Sequence, residues 1–147
     1  MSQKLKEIVT NNPQETIELG RTFGTSLKGG EVVALIGQLG AGKTHFMKGV
    51  AAGLESPDMT QVTSPTFVLV NEYEGRNGEI LIYHIDAYRL ESVAEFEALG
   101  FDEYCRPDTV VFIEWADKVL KALEGLDYVR IDISHIGPNQ RKIVFSK

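Results

Sequence analysis

The sequence predicts one α/β domain with a mostly parallel central sheet, helices on both faces and some antiparallel hairpin strands. Three observations carry this. Apolar, β-branched runs of strand length alternate with segments of helical periodicity. Two pairs of strand-like runs are joined by short turn sequences. At 147 residues and 43% hydrophobic, the chain suits a single domain spanning 1–147 around one core.

The elements follow in chain order. "NPQETIELGRTFGTSLKGG" (12–30) reads as a helix, with Asn12 as N-cap, Pro13 at N1, Glu15 at N3 and Gly29-Gly30 at the exit. "EVVALI" (31–36) is a strand, after which Phe46, Met47, Val50, Ala51 and Leu54 recur at helical spacing. "SPDMTQVTSPT" (56–66) is polar and proline-punctuated, hence a loop. "FVLVNEYE" and "EILIYHID" form a hairpin whose turn signal is Asn77-Gly78. "SVAEFEALG" (92–100) carries a capping box, Ser92 with Glu95, and a stop at Gly100. "TVVFIEW" (109–115) is a buried strand, and "ADKVLKALEG" is a short helix. "YVRIDIS" and "RKIVFS" around "HIGPNQ" close the chain as a second hairpin.

Composition narrows the function. A net charge of −6 with dispersed lysines and arginines argues against direct nucleic-acid binding, which needs a basic face. No run approaches the roughly 20 apolar residues of a membrane span. The first residues lack the apolar core of a signal peptide. The single cysteine, Cys105, cannot form an internal disulfide, and no Cys/His cluster has metal-ligand spacing. A cytoplasmic location is expected.

The chemistry concentrates in "IGQLGAGKTHF" (36–46), where Gly37, Gly42, Lys43 and Thr44 meet the pattern G-x-x-x-x-G-K-[ST] between a strand and a helix. Glycines at this spacing let successive backbone N–H groups converge on phosphate oxygens, so the loop through Gly37, Leu39, Gly40, Ala41 and Gly42 is expected to line a nucleotide. Lys43 reaches the β- and γ-phosphates, Thr44 meets Mg²⁺, and the helix adds the positive end of its dipole. The domain is therefore expected to be a P-loop NTPase.

Such a site needs a carboxylate at a strand end. Asp86 ends "ILIYHID" and Glu114 ends "VVFIE". The Asp86 strand belongs to a hairpin while the Glu114 strand reads as central and parallel, which favours Glu114 for the metal and leaves Asp86 to orient water or a switch loop. Thr66 in "TSPTF" stands where a γ-phosphate-sensing hydroxyl would sit, although a turn role fits equally. Trp115 is a core residue or a platform for adenine. His84 packs or hydrogen-bonds within its strand. No N-K-x-D-type tetrapeptide for guanine occurs, so ATP is the expected nucleotide.

With "GQLGAGKTHF", "SPTFVLVNEYE", "IYHIDAYRL", "LGFDEY" and "FIEWADKV" in order, the chain resembles the bacterial TsaE family from about Pro13 to Gln140. The resemblance implies a compact phosphate-loop ATPase, Mg²⁺-dependent and weak alone. It would act with the TsaB and TsaD proteins to install threonylcarbamoyl on adenosine 37 of tRNAs reading ANN codons, meeting tRNA only through that complex. It further implies that Lys43 and Thr44 hold phosphates and Mg²⁺, that Glu114 is the second metal ligand and that Asp86 supports hydrolysis. The Ser64-Pro65-Thr66 loop would be switch-like, Trp115 would lie by the adenine, and Pro13 and Gln140 would border the base. Two departures stand out: Gln38 where the family usually has an acid, and His45 where it has a second threonine. The competing readings are a small-molecule phosphotransferase, a guanine-nucleotide switch and a non-catalytic nucleotide-dependent binding module. The first lacks a lid-sized, arginine-rich insertion here.

Overall fold

The computed structural model describes residues 4–37, 42–61 and 70–147. Its elements are β1 (Lys4–Thr10), α1 (Pro13–Ser26), β2 (Val32–Ile36), α2 (Lys43–Gly53), β3 (Val70–Gly75), β4 (Ile80–Asp86), α3 (Val93–Ala98), α4 (Phe101–Tyr104), β5 (Thr109–Glu114), β6 (Val129–His135) and β7 (Arg141–Ser146). The strands form one seven-stranded sheet in the order β1-β7-β6-β2-β5-β4-β3. Its centre, β6-β2-β5-β4, is parallel. Both flanks are antiparallel, through the β6–β7 and β1–β7 pairs on one side and β3–β4 on the other.

The central strands are buried because helices cover both faces, which is why they read as continuous apolar runs rather than alternating ones. Val33 and Leu35 of β2 and Val110 and Phe112 of β5 pack with Phe46, Val50 and Leu54 of the α1/α2 layer. Ala34, Val111 and Ile113 face the opposite layer, with Phe96, Phe101 and Leu123. The helix starts form as their caps predict. The Asn12 carboxamide oxygen accepts the Glu15 N–H at 2.8 Å, and the Ser92 hydroxyl accepts the Glu95 N–H at 3.1 Å.

The tightest constraint lies between α1 and α2. A Cβ at Gly20 would sit 2.1 Å from the Phe46 carbonyl oxygen, and one at Gly24 would sit 2.4 Å from that of Val50. Reciprocally, Gly49 and Gly53 would meet the Ile17 and Arg21 carbonyl oxygens at 1.8 and 2.3 Å. The two backbones touch, and only hydrogen fits between them. The pairings advance together along both helices, so α1 and α2 run parallel and start at the same edge of the molecule.

Several elements depart from the sequence reading. β1 was not expected. It is an edge strand whose residues are mostly exposed, with a register irregularity between Lys4 and Lys6, so it lacks the apolar run that marks a buried strand. The segment 116–125 is not one helix. It forms two 3₁₀ turns, Ala116–Lys118 and Leu120–Leu123, because the chain leaves helical geometry at Val119 (φ −128°). Ala116, Val119 and Leu123 all reach the core. The loop after α2 opens with a further 3₁₀ turn, Pro57–Gln61. The first hairpin turns through residues 76–79, which include the expected Asn77-Gly78 pair; Arg76, Asn77 and Gly78 all have positive φ (51°, 58° and 87°). Arg76 is held there from afar, since its guanidinium donates to the Gly24, Thr25 and Leu27 carbonyls at the end of α1. Among the described residues no helix is long and apolar enough to cross a membrane.

Gly49→Ala tests the seam. A methyl group driven into a backbone carbonyl forces the helices apart, at a cost of about 3 kcal/mol or more. Thermal melting should fall by roughly 5–10 °C. An unchanged midpoint would show that the seam is not tight.

Candidate functional site

The site gathers at the carboxyl ends of the parallel strands, where a sheet of this kind leaves a crevice. β2 ends at Ile36, and the chain passes Gly37 toward the cradle loop. Gln38, Leu39, Gly40 and Ala41 lie outside the described residues, as do Thr63, Ser64, Pro65 and Thr66. The chain is seen again at Gly42, whose φ of 98° is left-handed and where an added Cβ would sit 3.0 Å from Arg141 Nε. Lys43 opens α2, and among the described residues no side chain caps the helix start. The first-turn N–H groups of an uncapped helix are available to an anion.

Lys43 is buried, with 8% of its surface exposed. Its ammonium lies over the Trp115 ring, 4.1 Å from the centroid. Burial pushes its pKa below the ordinary 10.5, against the opposing pull of Glu114, Asp86 and Asp117. Thr44 is exposed one residue further along α2.

Asp86 and Glu114 are directly opposite one another at the ends of adjacent parallel strands. This corrects the premise used to separate them: β4 is the hairpin partner of β3 and at the same time a parallel neighbour of β5. Strand geometry gives both acids the same standing. Their surroundings differ. One Asp86 carboxylate oxygen accepts the Tyr88 N–H at 3.0 Å, which fixes its side chain as the chain turns out of β4. Glu114 is 14% exposed at its side chain and faces the His84 imidazole, Nε2 to Oε1 3.6 Å. Burial disfavours the Glu114 carboxylate, but His84 and then Lys43 outweigh it and hold the pKa below the ordinary 4.5.

Trp115 follows Glu114 in a left-handed conformation (φ 58°), which turns its ring onto Lys43 and against the Tyr88 ring, 4.9 Å between centroids. It therefore stands at the lysine end of the site. The other end is a shallow groove lined by Pro13, Thr16, His45, Asn139 and Arg141. Pro13 and His45 meet there because α1 and α2 start at the same edge. Gln140 is exposed beside the groove and donates to the Asn11 carboxamide oxygen at 2.9 Å, tying the β6–β7 turn to the start of α1. Sequence reasoning missed Arg141, Tyr88 and Asp117, all of which join the site through tertiary contacts. It also confined His84 to its own strand, although the period-two spacing from His84 to Asp86 places both on one sheet face.

A parallel strand leading to a helix that opens on a buried lysine, near carboxylates at adjacent strand ends, is the arrangement of a phosphate-loop α/β domain. The profile of the family described as threonylcarbamoyl adenosine biosynthesis protein TsaE matches residues 10–143, and the chain belongs to that family. Relatives named tRNA threonylcarbamoyladenosine biosynthesis protein TsaE occur in Bacillus subtilis and Treponema pallidum. The first is 39% identical over 137 residues, 93% of this chain and 82% of the relative. The second is 41% identical over 115 residues, 78% of this chain and 82% of the relative. A crystal structure of the B. subtilis protein YdiB superposes with a TM-score of 0.74 at 34% identity, covering 99% of this chain and 86% of that one.

The depressed Glu114 pKa sets a pH dependence. A carboxyl with a folded pKa below its unfolded value stabilises the fold above that unfolded value, and the contribution is lost as pH falls through the folded one. The ligand-free protein should therefore lose stability below about pH 4.5 more steeply than its Glu114→Gln variant. Parallel acid limbs in denaturant titrations of the two would contradict this.

Proposed function

We propose that this chain is the ATP-hydrolysing subunit of tRNA threonylcarbamoyladenosine formation, working in the cytoplasm with TsaB and TsaD and meeting tRNA through that complex. Family membership supports the pathway. The observation that supports the nucleotide chemistry is Lys43, a buried cation at the start of α2 within the electrostatic reach of two strand-end carboxylates.

The residues fit ATP and Mg²⁺. The uncapped start of α2 and the left-handed turn at Gly42 suit phosphate oxygens, and a desolvated ammonium interacts strongly with them. Asp86 and Glu114 are oxygen donors of the kind Mg²⁺ takes, alongside the Thr44 hydroxyl. When bound, the ion would neutralise charge on the β- and γ-phosphates. On this reading Lys43 leaves the face of Trp115 to pair with phosphate, Glu114 serves the metal and Asp86 orients the attacking water. Thr66 and its neighbours complete the γ-phosphate end. The groove at Pro13, His45 and Arg141, flanked by Gln140, takes the nucleoside. Trp115 then reports on the phosphates, and contact with the base falls to Pro13 and Gln140.

Phosphate release from ATP–Mg²⁺, measured with and without the TsaB–TsaD pair, tests this reading. Turnover should be low alone and rise with the partners. Lys43→Ala should weaken ATP binding by about 10- to 150-fold, the 1.5–3 kcal/mol of a charged hydrogen bond. Asp86→Ala should bind ATP nearly normally yet lose roughly 10²- to 10⁴-fold in hydrolysis. Glu114→Ala should instead raise the Mg²⁺ needed for tight binding. Equal, modest losses in both acid variants would show that neither acid is special. Undiminished tRNA modification with Asp86→Ala would show that hydrolysis is not the protein's task.

A further inference from the structure

We infer that His84 is a positioning residue for Glu114: it holds the carboxylate through Nε2 and so presets the cation-binding geometry of the site. The inference rests on the Mg²⁺–nucleotide reading above and adds a residue to it.

Side chains of β4 alternate between the two faces of the sheet. Ile80 and Ile82 enter the core beneath α2, so His84 and Asp86 continue that face toward the strand end. The register sets His84 beside Phe112 and Asp86 beside Glu114. His84 therefore stands one step below the acid pair, diagonal to Glu114, between the apolar core and the site. An aliphatic residue would extend the core there, as Ile82 does.

An imidazole in that place must satisfy its buried nitrogen. Nε2 is inaccessible to solvent and has no hydrogen-bond partner among the described residues. Its facing carboxylate is Glu114, 3.6 Å from Oε1. A few tenths of an ångström closes that gap to hydrogen-bonding range. With Nε2–H donating to Oε1, one carboxylate oxygen is tethered and the other is left for the cation. Around the imidazole the register sets Asn71 of β3, and Asp86 continues its own strand beside Glu114. Asp86 already accepts the Tyr88 N–H, whereas among the described residues no backbone N–H anchors the Glu114 carboxylate. Outer partners that orient metal-binding carboxylates are typically worth 10- to 100-fold in metal affinity.

Calorimetric titration of ATP across a Mg²⁺ series, and in EDTA, tests this on the intact chain. His84→Ala should raise the Mg²⁺ concentration at half-effect about tenfold while leaving metal-free ATP binding unchanged. His84→Gln, whose side-chain amide can donate from a similar position, should recover most of the loss. In a Glu114→Ala background, His84→Ala should add nothing. A Mg²⁺ midpoint unmoved by His84→Ala would overturn the inference. So would a loss of equal size in EDTA, or one that persists without Glu114, because each marks a merely structural role. If His84→Ala does not fold, the ¹⁵N shift of the wild-type Nε2 decides: it should move on Glu114→Ala, and a static resonance overturns the inference. A wild-type protein that binds no nucleotide would instead sink the nucleotide-site reading itself.

Discussion

The contact of α1 with α2 is the constraint from which the site follows. Gly20 and Gly24 on one helix and Gly49 and Gly53 on the other bring the backbones to a distance no side chain permits. A glycine inside a helix costs about 1 kcal/mol against alanine, so four of them need a compensating gain. That gain is burial: Phe46, Val50 and Leu54 are pressed flat against β2 and β5 and fully excluded from water. Because the helices are parallel, the same seam brings Pro13 and His45 together at one edge. The start of α2 is thereby fixed relative to the strand ends, and the start of α1 becomes part of the site wall.

On this frame the charges are arranged under tension. Lys43 is taken out of water and keeps company with an aromatic face and two carboxylates at strand ends. Glu114 is nearly buried and held ionised by His84 and Lys43. These groups are already desolvated, so on the proposed reading only the Lys43 side chain has to turn, from the indole to a phosphate, for strong electrostatic stabilisation. The left-handed backbone at Trp115 belongs to the same design, since it turns the indole onto the lysine. A non-glycine residue in that conformation costs free energy, and here it buys the lysine a neighbour.

Much of this was legible in the sequence because the signals are local. Asn12 and Ser92 cap their helices through residues three positions away, and continuous apolar runs mark β2 and β5. The cradle spacing put Lys43 and Thr44 at a helix start, which is where α2 begins. What escaped depends on distant partners. β1 is a strand only because β7 lends it a ladder. Arg76 enters the hairpin turn with positive φ while its side chain reaches α1, a contact some fifty residues away in sequence. The break at Val119 carries no signal in the sequence, since Ala116, Val119 and Leu123 keep the spacing of an unbroken helix. The link from His84 to Glu114 crosses strands, so it needed the β4–β5 register before it could be seen. The glycines of α1 and α2 were visible, but nothing local says that they face one another.

The central claim is that the parallel helix pair presents two helix starts to one nucleotide. Amide-resolved NMR titration of the protein with ATP–Mg²⁺ tests it most directly. The account predicts shifts at Gly42–Thr44 and the strand ends together with shifts at Asn12–Glu15 and at Asn139–Arg141. Perturbation confined to the start of α2 and the strand ends, with α1 and the β6–β7 turn silent, would contradict it.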